Sequence, residues 1–542
     1  MTYKTLITPQ LIEEYTSQGA WLSHPLIDEF LVRVKEHPDK TAVIDRGQRL
    51  SYRELDDLST RLAGGLLNMG LKPGEVVACQ LPNWWEFVAC FLATHRVGLV
   101  LIPLLPHYRR KELEYILNHT GAAGIIVPTQ FGNFDFTAMV LELRPSLPQL
   151  RHFVVLGDPV PPGAVSFSEL MVQDPTGDLD RLKPDPNGLS LMVFTSGTEA
   201  APKAVMCTAN TLWACGYGHI KKKSMVPDDI VFPAIPLTHS FGVFYGIIAP
   251  LVALGATSVL REKFDPDTVA QTMVEENVNQ MGSAPAILKA LGDLPDVEKL
   301  GLPKGCIIVT GGAATPAPVV ERLMELGLRV SNAYGASEGL LVETGPDHPP
   351  AITAETVGTP YPFATLKIAD ENGREVKQGE IGLIGFRGPQ EFAGYYRDEE
   401  RTRAAVDADG YVNAGDLGYI DNEGWLRIVG RKKEIIIRGG ENISPQEIED
   451  LLIPHPKLAE VAIVSMPDPR MGERSCAFVI PKAGETVELE DLTSFLRGSV
   501  ATFKLPERLE ITGNIPRTAL GKIIRHLLTA QVTEKLKQEG KT

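Results

Sequence analysis

The sequence predicts an α/β protein, with helix-covered parallel sheets over most of its length and a small α+β unit at the C-terminal end. Three observations carry that expectation. Strand-like and helix-like patterns alternate through roughly the first four hundred residues, the pattern of parallel sheets with crossover helices. At 542 residues the chain is too long for one compact core and suits several domain-sized units. A charged, turn-rich stretch, Gly430-Arg431-Lys432-Lys433-Glu434, divides it into residues 1–432 and 433–542, and about a hundred residues suffice for a second core.

The elements follow in order. Ala42 to Ile44 and Val76 to Gln80 read as strands, and Tyr52 to Met69 as a helix with Leu55, Leu58, Leu62, Leu66 and Leu67 on its apolar face. Asp158 to Gly163 and Pro184 to Gly188 are Pro-rich surface loops. Phe241 to Leu260 contains no charge and is long enough for a membrane span, but Gly242, Gly246, Pro250 and Gly255 interrupt it. A buried helix, a turn at Gly255 and a core strand from Thr257 to Leu260 is the better reading. Further on, Cys306 to Thr310 is a strand, Val319 to Leu328 an amphipathic helix and Arg329 to Tyr334 a strand. Asp421 to Gly424 is a hairpin turn into a strand from Trp425 to Val429. Ser444-Pro445-Gln446-Glu447 starts a helix with an N-cap, a proline at the first position and early acids.

Composition narrows the function classes. A formal charge of −15 argues against general nucleic-acid binding, which needs a basic face. The first twenty-one residues hold Lys4, Glu13 and Glu14 and lack a signal-peptide core, so a cytoplasmic protein is expected. The six scattered cysteines (Cys79, Cys90, Cys207, Cys215, Cys306, Cys476) fit buried reduced thiols. Cys207, Cys215 and His219 could be drawn as metal ligands, but no second CxxC-like pair supports them and packing is preferred.

The stretch from Thr195 to Val205 reads TSGTEAAPKAV, a hydroxyl- and glycine-bearing loop between a strand and a lysine. Those groups suit an anionic phosphate tail, although the string is not a Walker A loop and an ordinary Ser/Thr turn has the same composition. The segment resembles the phosphate loop of the adenylate-forming superfamily, which includes acyl-CoA synthetases, luciferases and peptide-synthetase adenylation domains. Further motifs of that family follow in order from Pro236 to Arg525, so the resemblance spans nearly the whole chain. It implies a large N-terminal domain of mixed sheets with a β-barrel-like subdomain, and a small mobile C-terminal domain. It also implies ATP-dependent attack of a carboxylate on the α-phosphate, then transfer of the acyl group to a thiol. Two anions must approach, so such a site needs cations and oriented donors.

The residue roles below come from that resemblance. Thr195, Ser196, Gly197, Thr198 and Lys203 would hold phosphates; Glu199, Ala200 and Ala204 depart from the family pattern, and the alanines would stiffen the loop. Gly312, Ala313, Ala314, Asn332, Ala333, Tyr334, Gly335 and Ser337 would surround the adenine, with Tyr334 stacking on it. Glu338, with Thr198, would bind Mg²⁺, a hard cation suited to oxygen ligands. Asp416 would accept from the ribose hydroxyls and Arg431 would contact ribose or phosphate. Pro516 to Arg525 reads PRTALGKIIR and matches the C-terminal signature, making Lys522 the catalytic lysine. Lys433 would be the hinge between domains.

Pro236-Leu237-Thr238-His239 matches the motif whose aromatic or His residue stands at the carboxylate end of the acyl pocket, so His239 is assigned there against a core histidine satisfied by backbone. Ile235, Phe241, Val243, Gly282, Ser283 and Ala284 would line the pocket, and Gly312 would border it. No acid is placed to hold a substrate amine, which points to an apolar acid, a medium chain or a ring, most like cyclohexanecarboxylate- or benzoate-type ligases. Ile437 to Pro445 resembles the form that lets Gly439 and Gly440 admit the pantetheine arm of CoA. ATP, Mg²⁺, CoA and a carboxylic acid are thus the expected ligands, and a homodimer is compatible. A carrier-protein phosphopantetheine is the alternative acceptor. Separately, Gly335 to Gly339 satisfies G-x-S-x-G, so an α/β-hydrolase with nucleophile Ser337 and His455 or His526 is a second class.

Overall fold

The structure, a computed structural model, describes residues 4–172, 179, 182–195, 202–313, 315–339, 341–518 and 521–540. Two large sheets form the body. The nine-stranded sheet has six parallel strands at its centre: Arg329–Gly335, Ile307–Gly311, Gln280–Ser283, Ile230–Ala234, Thr257–Leu260 and Thr41–Asp45. Antiparallel strands close both of its edges. The seven-stranded sheet is parallel except for one edge, where Leu189–Thr195 pairs antiparallel with Lys203–Thr208. These sheets are mixed, as expected from the sequence.

Strand alternation sorts side chains between the layers. Val77 and Cys79 face the main core together with Val43, Val231 and Val309 of the other sheet. Val76 and Ala78 face outward onto the helices Arg110–Thr120 and Phe136–Leu143. The outer face of the nine-stranded sheet is covered by Pro266–Glu275, Pro285–Gly292 and Ala317–Glu325. Helix Trp85–Val97 is buried at every position from Glu86 onward, which requires contact on all sides and puts it in the layer between the sheets.

The uncharged stretch is a buried core element. A short helix, Ser240–Val243, continues as a π-helix over Phe244–Leu254 and stops at Gly255 (φ 81°), followed by strand Thr257–Leu260. No helix among the described residues is long and apolar enough to cross a membrane.

The barrel-like element is an antiparallel sheet of four strands, Thr365–Ala369, Gly382–Arg387, Val412–Ile420 and Leu426–Arg431. Its last strand ends at Arg431. After Lys432–Glu434 comes a five-stranded sheet with its own core: Pro445–Leu452 and Leu489–Leu496 cover one face and Arg525–Gln538 the other. Ser444 caps Pro445–Leu452 by accepting from the Glu447 N–H, as its sequence suggested.

A buried charge cluster ties helix Ala209–Lys223 to the edge of the nine-stranded sheet. Lys223 Nζ lies 2.9 Å from Glu343 Oε1 and donates to the Thr344 carbonyl at 2.9 Å and to Ser331. Tyr361 donates to Glu343 Oε2 at 2.9 Å, and His219 Nδ1 meets the Tyr361 hydroxyl at 2.9 Å. His219 is thus a member of this network, and no group of three or more His, Cys, Asp and Glu among the described residues is arranged around a metal position. Removing one partner of a buried pair costs about 3–5 kcal/mol, because the other charge is left uncompensated. Lys223→Met should therefore lower the melting temperature sharply, and Lys223→Met/Glu343→Leu should recover more than half of the loss in the same thermal scan.

Candidate active site

The expected residues converge at the C-terminal ends of the parallel strands, where open α/β sheets bind ligands. Ile235 follows strand Ile230–Ala234, Ser283 ends Gln280–Ser283, Gly311 ends Ile307–Gly311, and Tyr334 and Gly335 end Arg329–Gly335. Gly311 cannot carry a side chain, since a Cβ there would sit 2.9 Å from the Ala333 carbonyl oxygen. Gly312 (φ 86°) turns the chain, leaving Gly312 and Ala313 exposed. Ala314 lies outside the described residues, as do Ser196, Gly197, Thr198, Glu199 and Ala200.

Thr195 and Lys203 are paired directly across the hairpin, so both bracket the loop between them. Ala204 departs from the family pattern within the strand, not within the loop. It is buried against the outer core of the seven-stranded sheet, so it packs and does not stiffen a flexing segment. The Lys203 ammonium lies 4.9 Å from the Tyr395 ring centroid, a cation–π contact. Tyr395 in turn donates to Glu338 Oε1 at 2.7 Å. Glu338 is buried, and its carboxylate is the kind of donor that a hard cation takes. Sequence reasoning missed Tyr395; its only local signal is the Gly394-Tyr395-Tyr396 run.

Asp416 is the centre of a second group. Arg431, its cross-strand partner, donates from Nε at 3.0 Å, and Tyr334 donates its hydroxyl to the other carboxylate oxygen. Burial, and then the Asp416 charge, push the Tyr334 phenol well above its ordinary range. Asn332 donates its amide to the Thr356 carbonyl at 3.0 Å, which fixes it behind the strand that carries Tyr334.

Lys522, in a turn of the C-terminal unit, lies within the electrostatic influence of this group. Thr518 N–H donates to the Lys522 carbonyl at 2.7 Å, Gly521 N–H to the Thr518 carbonyl at 2.8 Å, and Gly521 has φ 79°. A Cβ on Gly521 would lie 3.8 Å from Ala286 Cβ, so the turn rests against the helix that follows Ser283 and Ala284. The Lys522 ammonium is held below the ordinary lysine range by burial and by Arg431, with Glu434 and Asp416 opposing. Gly439 and Gly440 occupy an exposed turn whose backbone contact is to Met471 in the same unit. Lys433 is exposed in the turn Lys432–Glu434.

His239 is the N-cap of helix Ser240–Val243, its Nδ1 accepting from the Phe241 N–H at 3.2 Å. That acceptor role puts the imidazole proton on Nε2. Ile235 and Val243 are fully buried, Phe241 is half-buried, and the Ser283 hydroxyl has no hydrogen-bond partner among the described residues. Ser337 sits in a turn between two antiparallel strands, whereas a nucleophile elbow needs a strand-to-helix turn. His455 packs on Phe495 and His526 lies in the terminal helix; neither bonds Ser337 among the described residues. The hydrolase reading is set aside on that geometry.

The family model of the AMP-binding enzymes matches residues 30–396, and that of the AMP-binding enzyme C-terminal domain matches 447–522. The chain belongs to the AMP-binding enzyme family. The medium-chain fatty-acid–CoA ligase of Escherichia coli (strain K12) is 33% identical over 530 residues, covering 97% of this chain and 93% of that protein. A salicylyl-CoA synthase / salicylate adenylyltransferase of a Streptomyces species is 33% identical over 520 residues, with 94% of each covered. The crystal structure of the anthranilate CoA ligase AuaEII with anthranoyl-AMP superposes with a TM-score of 0.87 at 23% identity, over 96% of this chain and 98% of that one. That likeness confirms the fold. The protein is an AMP-forming acid–thiol ligase that activates its acid with ATP.

Burial pushes the His239 imidazole down from 6.5 to about 4, so the folded protein keeps it neutral across the working range. An unfolded imidazole protonates near 6.5, so protons favour the unfolded chain first. The stability His239 contributes is full above about pH 6.5, declines as pH falls toward 4, and levels off below. Melting temperatures from pH 8 to pH 4.5 should show a shallower acid decline in His239→Asn than in the parent; parallel declines would contradict the assignment.

Proposed function

We propose that the enzyme is a carboxylic acid–CoA ligase for an apolar acid, a ring or a medium chain, working in two steps. A carboxylate oxygen attacks the α-phosphorus of ATP, the bond to the β-phosphate breaks and pyrophosphate leaves. The CoA thiol then attacks the carbonyl carbon, gives its proton to solvent, and AMP departs. The observation that carries this reading is the approach of the Lys522 turn to Ala286 and to the Asp416–Arg431 pair. On this reading the Lys522 ammonium stands between the acyl-pocket strand ends and the proposed ribose site.

In this reading Lys522 bridges the substrate carboxylate and the α-phosphate. A unit-charge contact near 4 Å is worth about 4 kcal/mol at an effective dielectric of about 20. Thr195 and Lys203 flank the phosphates with Ser196, Gly197 and Thr198, and Asp416 takes the ribose. Glu338, with Thr198, would hold Mg²⁺, which bound there would neutralise phosphate charge. Neutral His239, with its proton on Nε2, donates toward the acid's carboxylate without adding a charge that would trap it. Residues 433–542 form the moving domain, and Lys433 the pivot that brings Gly439 and Gly440 to the site for thioester formation. The relatives' named acids, a medium-chain fatty acid and salicylate, bracket the chain-or-ring choice. The unpaired cysteines agree with a cytoplasmic setting.

Two variants test the assignment. Lys522→Ala should slow ATP- and acid-dependent pyrophosphate release about 10²–10³-fold, the typical cost of losing one transition-state contact. It should leave thioester formation from supplied acyl-adenylate near the parent rate; equal loss of both steps would remove Lys522 from its role. Lys433→Pro should slow the second step more than the first, measured as CoA-dependent AMP release against pyrophosphate exchange.

A further inference from the structure

His239, Phe241 and Tyr245 lie along one continuous helical run that starts at the proposed carboxylate end of the acyl pocket. Phe241 and Tyr245 are one turn apart and share a face, with ring centroids 5.4 Å apart in an edge-on arrangement. Tyr245 is fully buried, and its ring closes the gap between this helix and the strand Gln280–Ser283. The contact is at Gly282: a Cβ there would sit 2.9 Å from Tyr245 Cδ1 and 3.0 Å from Cε1. Two of the proposed pocket residues, Phe241 and Gly282, therefore end on the same phenol ring.

Behind the ring is a buried charge cluster. The His219 imidazole stacks at a tilt with its centroid 5.0 Å from Tyr245, and His219 belongs to the buried Tyr361–Glu343–Lys223 cluster. An acyl chain displacing the ring would press apolar carbon against a desolvated ion pair. The Tyr245 hydroxyl itself is buried with no hydrogen-bond partner among the described residues, so a hydrogen bond is not what fixes the side chain.

We propose that Tyr245 is the end wall of the acyl pocket and limits the acid to a single ring or a chain of similar length. This rests on the pocket assignment made above. Tyr245 lies six positions after His239, about 9 Å along an α-helix at about 1.5 Å per residue and less through the π turn. That run accommodates a carboxylate and one ring. It does not accommodate a fused bicyclic or an extended medium chain beyond about its own length.

The test compares the parent with Tyr245→Ala, Tyr245→Phe and Gly282→Ala. AMP formation with ATP and CoA is measured on benzoate, 2-naphthoate and straight-chain acids from butanoate to dodecanoate. Thermal stabilisation by each acid in the presence of AMP is read in parallel. The expected result is a parent that falls off with decanoate and 2-naphthoate, and a Tyr245→Phe with the same profile. Tyr245→Ala should gain at least about tenfold in kcat/KM on decanoate relative to benzoate, the scale on which apolar pockets discriminate size. Gly282→Ala, whose methyl must drive the ring off its seat, should shift the profile without loss of fold and serves if Tyr245→Ala does not fold. A parent that handles decanoate and 2-naphthoate as well as benzoate, or folded variants with its unchanged profile, would overturn the wall. Length-dependent binding without any CoA-dependent turnover would instead overturn the ligase reading and keep the wall.

Discussion

Asp416 is a carboxylate only 5% exposed, and the two sheets that flank the site meet at it. Tyr334 bonds it from the nine-stranded sheet and Arg431 from the last strand of the four-stranded sheet. A buried charge without partners would be costly, so each of these contacts has to persist while the nucleotide is absent. The consequence is a preformed site: the groups that surround a ribose and a phosphate in the proposed complex already hold one another in place. Tyr334 shows this most clearly, because its hydroxyl bond to Asp416 fixes the plane of the ring that would lie against adenine.

The same arrangement makes Lys522 responsive. Arg431 and burial oppose its positive charge, while Asp416 and Glu434 favour it. Bringing a triphosphate and a carboxylate into this region changes the balance in one direction only, toward the ammonium. A cation that is poorly compensated before binding interacts more strongly with anionic charge developing nearby than one already paired. The Lys203–Tyr395–Glu338 chain is built differently, its lysine resting on a ring face and its carboxylate on a hydroxyl, so neither charge neutralises the other directly.

Much of this was legible in the sequence because it is local. The Ser444 cap, the helix from Tyr52, the Gly255 turn and the Asp421 hairpin are set by neighbours a few residues away, and each lies where the residue pattern puts it. Asp416, Tyr334, Glu338, His239 and Lys522 were found through ordered motifs, each a short string. What was not legible depends on pairs far apart in the chain: Tyr395 with Glu338, Lys223 with Glu343, Tyr245 with Gly282. No spacing or periodicity records a contact over tens of residues, and a glycine at 282 reads as a small pocket residue until the ring over it is seen. The G-x-S-x-G string failed for a related reason: it matches five residues, but the elbow is defined by the helix that follows, and here a strand returns instead.

The position of the proposed pivot can be narrowed by ion pairs. Arg525, at the start of the terminal helix, lies 3.3 Å from Glu434 and 2.8 Å from Glu449, so Glu434 is fastened to the C-terminal unit. On the other side, Arg431 is the register partner of Asp416 and belongs to the body. Rotation that keeps both attachments must therefore be absorbed at Lys432 and Lys433, the two residues between them. These are exposed and lie in a short 3₁₀ turn, where a change of backbone dihedrals disturbs little packing. Lys522 and the Gly439–Gly440 turn are on the same side of that joint, so in the proposed swing the two would move together as one unit, one presented to the site at a time. One pair of dihedral-bearing residues would thus be enough to make the two chemical steps sequential instead of competing.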